Sequence, residues 1–163
     1  MAKVLLIEDD KFLRNLLAKR LKSEDVDVIT AVDGEDGLQK IISDYPDLVL
    51  LDLILPKRSG FSFLDEINKD INLKKVPIII LSNLGQEEDV QRAKEYQVKD
   101  YMIKANSSLE QIIGRIKNFL AAEVDGKPAD KKEDQGQIKD QVQASNQAQA
   151  EKTQTEPKEK NEK

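Results

Sequence analysis

The sequence predicts an open α/β fold, a parallel sheet with helices on both faces. Three observations predict it. Val4-Leu5-Leu6-Ile7 and Leu48-Val49-Leu50-Leu51 are short continuous apolar runs, the pattern of strands buried on both sides. Between such runs lie segments whose apolar residues recur at helical spacing. The alternation repeats five times, and right-handed crossovers then put helices on both faces of one sheet.

The elements follow in order. Val4 to Ile7 is the first strand. Phe12, Leu13, Leu16, Leu17 and Leu21 mark the first helix. Val26 to Val32, mixed and β-branched, reads as the second strand. Asp33 is placed to cap a helix carrying Leu38, Ile41 and Ile42 on one side. Leu48 to Leu51 is the third strand, and Phe61, Leu64, Ile67 and Ile71 mark the third helix. Val76 to Leu81 is the fourth strand, with Pro77 tolerated near its start. Residues 86–96 read as a helix with only Val90, Ala93 and Tyr96 to pack. Asp100 to Ile103 is the fifth strand. Ser107-Ser108-Leu109-Glu110 has capping-box spacing. Leu109, Ile112, Ile113, Ile116, Phe119 and Leu120 then form the cleanest amphipathic stripe in the chain.

Composition narrows the chemistry. The 163 residues include no Cys and no His. Disulfides, thiol nucleophiles and Cys-ligated zinc are excluded, as are histidine ligands, Ser-His-Asp triads and phosphohistidine on this chain. A reactive group must be Asp, Glu, Ser, Thr, Lys, Arg or Tyr. With 26 basic and 31 acidic residues the net charge is −5, which argues against a free-standing nucleic-acid binder. The start of the chain lacks the long apolar stretch of a secretory signal, and no run approaches the ~20 residues that span a bilayer. The expectation is a cytoplasmic protein without a membrane partner. Composition changes near residue 123. Residues 124–163 hold seven Gln, eight Lys and nine Asp or Glu, but only Val124, Ile138 and Val142 as large apolar residues. Such a stretch buries too little surface to offset its ordering entropy. The expected division is a folded domain at 1–123 and a disordered tail at 124–163, with a weak helix around Ile138 and Val142 as the alternative. The tail shows no helix-turn-helix pattern, so a stand-alone domain is expected.

In a sheet of this kind ligands bind outside the carboxyl ends of the strands. Strand one ends in Glu8-Asp9-Asp10, strand three in Asp52, strand four in Ser82-Asn83 and strand five in Lys104. If strands one and three are neighbours, Glu8, Asp9 and Asp52 share a crevice. Like charges so close raise one another's pKa or recruit a cation, and an all-oxygen site suits Mg²⁺. The acidic triplet alone also reads as a helix N-cap with favourable dipole charge, a part suited to Asp10. Asp52 directly after Leu-Val-Leu-Leu is costly unless paired or functional. Lys104 reads either as an ion-pair partner or as a fixed charge for a phosphoryl group. Ser82 reads as a hydroxyl donor or as a cap.

Taken jointly, VLLIEDD (4–10), LVLLDLILPKRSG (48–60), IIILSN (78–83) and DYMIK (100–104) resemble the response-regulator receiver family, over residues 3 to about 121. The resemblance implies a flavodoxin-like sheet of order 2-1-3-4-5. It implies that Asp52 is the phosphoacceptor, that Glu8 and Asp9 hold Mg²⁺ with Asp52, and that the backbone carbonyl of Ile54 completes the protein ligands. Ser82 is similar to the family's switch hydroxyl, Lys104 to its lysine and Tyr101 to its switch aromatic. The implied function is a two-component phosphorelay module. A histidine kinase or histidine phosphotransfer protein donates the phosphoryl group. Ser82 then draws residues 83–85 toward the site, Tyr101 turns inward, and the 86–96, 100–103 and 107–121 surface addresses a further protein. On this reading the chain is not an enzyme beyond its own phosphorylation and dephosphorylation.

Several residues depart from the family pattern. Ala105 replaces the usual proline, implying a looser hold on Lys104. Ser59 replaces an Asp before Gly60, and Asn83 is bulkier than usual. Glu8 is a methylene longer than Asp. Ile54 and Leu84 stand where polar residues orient hydrolytic water in fast members, which implies slow loss of phosphate. Two other function classes are weighed. One is a phosphate-independent adaptor. The other is an aspartyl-phosphate phosphatase, which needs a second acid where Ile54 stands.

Overall fold

A computed structural model describes residues 1–124. The expected disordered tail and the weak helix near Ile138 lie outside the described residues. Five strands alternate with five helices: β1 (Lys3–Ile7), α1 (Lys11–Lys22), β2 (Asp27–Ala31), α2 (Gly34–Asp44), β3 (Leu48–Leu51), α3 (Gly60–Lys69), β4 (Ile78–Ser82), α4 (Glu87–Glu95), β5 (Asp100–Ile103) and α5 (Leu109–Val124). All four strand pairings are parallel and the order is β2-β1-β3-β4-β5. This is the predicted doubly wound flavodoxin-like sheet. Its chain reversal sits between β1 and β3, which register as Val4 with Leu48 and Ile7 with Leu51.

Alternation along the strands divides the core. Leu5, Ile7, Val49, Leu51 and Ile80 face one layer, with Ile41, Phe63, Leu64 and Val90 from α2, α3 and α4. Val4, Leu6, Leu50, Ile79 and Met102 face the other, with Leu17 and Leu21 from α1 and Ile112, Ile113 and Ile116 from α5. Both layers are apolar because helices cover both faces of the sheet, which explains the unbroken apolar runs of β1 and β3. No helix among the described residues is long and apolar enough to cross a membrane.

Some expectations about packing need correction. Phe12 is 78% exposed and Leu16 is at the margin at 36%, so the buried face of α1 is carried by Leu17, Ala18 and Leu21. Ile42 is exposed beside a fully buried Ile41: one residue is 100° of rotation, enough to leave the core side. Ile71 lies beyond the end of α3 and is exposed. The helix stops at Lys69 because Asp70 turns to extended backbone, and its carboxylate accepts from the amides of Asn72 and Leu73. The capping box of α5 sits one residue later than the spacing suggested. Ser108 and Gln111 exchange side-chain-to-amide hydrogen bonds of 3.2 and 2.8 Å, whereas the Ser107 hydroxyl donates to the carbonyl of Ile103. Asp10 and Asp33 cap α1 and α2 as expected.

Candidate functional site

The site forms at the reversal between β1 and β3. The amide of Asp52 donates to the carbonyl of Ile7 at 3.0 Å, and the amide of Glu8 to that of Ala31 at 3.1 Å. These ladder bonds carry Glu8 and Asp52 to the same level just past the sheet. Their side chains stay buried, with Glu8 1% and Asp52 5% exposed. Asp9, one residue further, is exposed. The carboxylate oxygens of Glu8, Asp9 and Asp52 offer ligand atoms within 4.8 Å of one another. Hard, anionic oxygens in such a cluster fit a small divalent cation that keeps waters in its other positions, so the donor set passes the test of chemistry.

Asp52 is held through both oxygens. The Ser82 hydroxyl, from the end of β4, donates to Oδ1 at 2.7 Å, and the amide of Ile54 donates to the same oxygen at 3.0 Å. The Lys104 ammonium, at the end of β5, meets Oδ2 at 2.5 Å and Glu8 Oε2 at 2.7 Å. Burial pushes the Glu8 carboxyl above its usual range, with Lys104 acting against the shift and Asp52 adding to it. Burial alone would lower the Lys104 ammonium. The hydrogen bonds it donates to Asp52 and Glu8 outweigh that, so it is held above its ordinary value. Lys104 to Asn106 form a 3-10 turn, and the Lys104 side chain is paired with two buried carboxylates.

Tyr101 lies inward, 2% exposed, and its hydroxyl donates to the carbonyl of Leu84 at 2.6 Å. Burial raises its pKa well above normal, with Asp89 and Asp52 adding to the effect. The Ser82 contact with Asp52 and the Tyr101 contact with Leu84 are both present. Ser82 Oγ also accepts from the amide of Leu84 at 3.4 Å, which joins the two contacts into one chain.

Sequence reasoning missed the braces around the site. Arg14, from α1, donates to the carbonyls of Glu8 and Asp9 at 2.8 and 3.1 Å. Lys57 pairs with the buried carboxylate of Asp33 at 2.8 Å, and Arg58 with Glu35 at 3.0 Å. These ties anchor the 52–60 loop to the start of α2. A cation one turn into the helix after an acidic triplet was the available signal for Arg14. No local signal marks the ties of Lys57 to Asp33 and of Arg58 to Glu35, since those partners are more than twenty residues away. Gly60 has a steric role: a Cβ there would meet the Asp52 carbonyl oxygen and Leu53 Cα, both at 2.5 Å.

Known proteins share this arrangement. The sequence model of the response regulator receiver domain matches residues 4–117. The chain is 32% identical over 120 residues to the DNA-binding dual master transcriptional regulator RpaA of Synechocystis, an alignment covering 74% of this chain and 49% of RpaA. It is 33% identical over 120 residues to response regulator ArlR of Staphylococcus aureus, covering 74% and 53%. The chain spans about half the length of these relatives. Among solved structures, a two-component response regulator from Clostridium difficile superposes with a TM-score of 0.68 at 26% identity, covering 74% of this chain and 97% of that one. The Mn(2+)-bound form of response regulator Rcp1 gives 0.66 at 30% identity, covering 74% and 94%. A β2-β1-β3-β4-β5 sheet with acid, acid, hydroxyl and ammonium at its strand ends, matched over most of its folded length, places the chain in the response regulator receiver domain family.

Proposed function

We propose that the chain is the phosphoacceptor module of a two-component phosphorelay, with Asp52 as acceptor and a histidine kinase or histidine phosphotransfer protein as donor. The observation that carries this reading is the double hold on Asp52, with Ser82 on one oxygen and Lys104 on the other, beside two further carboxylates. An Asp52 oxygen attacks the phosphorus of the donor's phosphohistidine. The new P–O bond forms as the P–N bond breaks, and the electron pair leaves with the imidazole, which takes a proton. Glu8, Asp9 and Asp52, with the backbone carbonyl of Ile54, would hold Mg²⁺, which supplies positive charge to the transferring phosphoryl oxygens. The Mn(2+)-bound form of Rcp1 supports a divalent ion in this family. Lys104 gives up its carboxylate partners for a phosphoryl oxygen, and Ser82 donates to another. Positioning and charge neutralisation are the whole of the catalysis, as is general for this chemistry.

The acyl phosphate adds up to about two negative charges. Ser82 donating to the phosphoryl group draws residues 83–85 toward the site and favours the inward Tyr101, so the new charge biases a two-state element. The output surface is α4, β5 and α5, and the protein it addresses is the downstream partner. Ile54 is half exposed and apolar, and Leu84 is apolar, so neither side chain orients a hydrolytic water and phosphate is lost slowly.

The test is incubation of the full chain with Mg²⁺ and acetyl phosphate, followed by intact mass. One phosphoryl unit is expected, absent in Asp52→Asn and absent without the metal, and stable over minutes or longer. A chain that takes up no phosphate, or an Asp52→Asn variant that still takes it up, supports the adaptor reading instead. A lifetime of seconds rejects slow hydrolysis.

A further inference from the structure

A second concave site lies at the opposite rim of the sheet, under the amino ends of β4 and β5. It is a cavity of about 360 Å³ between α3, the Leu73–Lys75 turn and the segment joining α4 to β5. Its apolar lining is Leu64, Ile67, Val76, Pro77, Ile78 and Tyr96. Leu64, Ile67 and Ile78 are buried core residues, so this wall belongs to the rigid part of the molecule. Lys74, Lys75 and Lys99 stand around it, with Glu95 as the sole acid in the lining.

The lining is basic, with three lysines against one glutamate. Lys40, Lys57, Lys69, Lys104 and Lys117 each pair with a carboxylate. Among the described residues Lys74, Lys75 and Lys99, like Lys11, Lys19, Lys22 and Lys94, have no such partner, and only the first three stand around one concave lining. Three ammonium groups beside a low-dielectric wall focus a positive potential into the cleft. Their aliphatic stems extend the apolar surface while the heads remain available. The Gln97 amide side chain also lines the cleft, from a residue with a left-handed backbone at φ 59.

Size limits the occupant. At ~30 Å³ per water the space equals about a dozen waters, near the lower end of small-ligand pockets. A partner helix, about 10 Å across with its side chains, needs a longer groove. We propose that this cleft binds a small free amphipathic anion, an alkyl or aryl body with one carboxylate or phosphate head. The body lies on Val76, Pro77 and the Tyr96 ring, the partly exposed apolar part of the lining, and the head meets Lys74, Lys75 and Lys99. Tyr96, the residue that ends α4, ties the cleft to α3, because its hydroxyl also donates to Asp65 at 2.5 Å.

The test uses octanoate and its uncharged analogue octan-1-ol on the full chain, followed by amide and aromatic NMR. Octanoate is expected to shift Ile67, Lys75, Gln97, Lys99 and the Tyr96 ring with one-site saturation, and octan-1-ol to bind at least tenfold more weakly. The surface variant K74Q/K75Q/K99Q should lose at least tenfold in octanoate affinity with its spectrum otherwise retained, and the single variant K99Q should lose part of it. Non-saturating shifts, shifts scattered over the surface, or equal binding of the acid and the alcohol would overturn the proposal. So would octanoate binding that the lysine variants leave unchanged.

Discussion

Lys104 is the residue on which the candidate site depends at rest. Its ammonium is the sole cation in contact with the buried carboxylates of Glu8 and Asp52 among the described residues. Breaking a buried pair by removing one partner leaves charge without compensation, a loss of roughly 3–5 kcal/mol where burial is complete. Lys104 keeps 13% of its side chain exposed, so Lys104→Met should cost somewhat less, about 2–3 kcal/mol by the same argument. Urea denaturation measures this, and millimolar Mg²⁺ should recover more stability in the variant than in the parent, since a cation that binds only the folded state stabilises it. A variant as stable as the parent would contradict the reading. Two glycines make the opposite point about backbone. Gly60→Ala drives its methyl into the backbone of Asp52 and Leu53 and should destabilise by about 1–3 kcal/mol, the cost typical of overpacking. Gly114, inside α5 with open space where a Cβ would stand, should stabilise by about 0.5–1 kcal/mol when changed to Ala. Paired thermal melts decide both signs.

At the scale of elements, α4 is the weakly held helix. Only Val90 and Ala93 are buried along its nine residues. The rest of its attachment is made by side chains toward α3: Tyr96 donates to Asp65, and the Arg92 guanidinium lies 4.0 Å over the Phe61 ring. The sequence predicted this poverty of packing, because three candidate apolar residues in eleven positions cannot build a stripe. It did not show the polar ties, which cross from one helix to another. An element with few buried contacts opens at low cost. Amide hydrogen exchange should therefore be faster in Glu87–Glu95 than in α3 or α5, and Tyr96→Phe should quicken it further while lowering stability by about 1 kcal/mol. Equal protection across the helices would refute this. The cap of α5 shows a different limit. Two adjacent serines offered two registers, and the competing carbonyl of Ile103 decided which one capped the helix.

Across the whole molecule, acidic groups set the response to pH. Lys117 hydrogen bonding and charge lower the pKa of Glu24, Lys69 does the same for Glu66, and backbone amides lower Asp33 and Asp70. A carboxyl depressed in the folded state contributes stability above its unfolded value, near 3.8 for Asp and 4.5 for Glu. That contribution is lost as pH falls through the folded value. Glu8, raised by burial, works in the opposite direction but is one group against four. Thermal melts should show the midpoint falling between pH 5 and pH 3, and a flat or rising midpoint would show that these pairs contribute nothing.

The fold was legible in the sequence because its signals are local. An apolar run of four residues or a stripe at helical spacing identifies an element without reference to any other. The strand-end residues Glu8, Asp52, Ser82 and Lys104 were legible for a related reason: each directly follows an apolar run, where a polar residue needs a purpose, and Asp9 comes one residue after. Pairing was decided by the tertiary structure alone. That Lys104 bridges Glu8 and Asp52, that Arg14 holds two carbonyls at the acidic pair, that Lys57 reaches Asp33, and that the Tyr101 hydroxyl reaches the Leu84 carbonyl are contacts between segments distant along the chain or matters of side-chain rotation. Periodicity along the sequence carries no record of them, because hydrogen bonds and ion pairs depend on ångström separations that only the packed sheet and its helices establish.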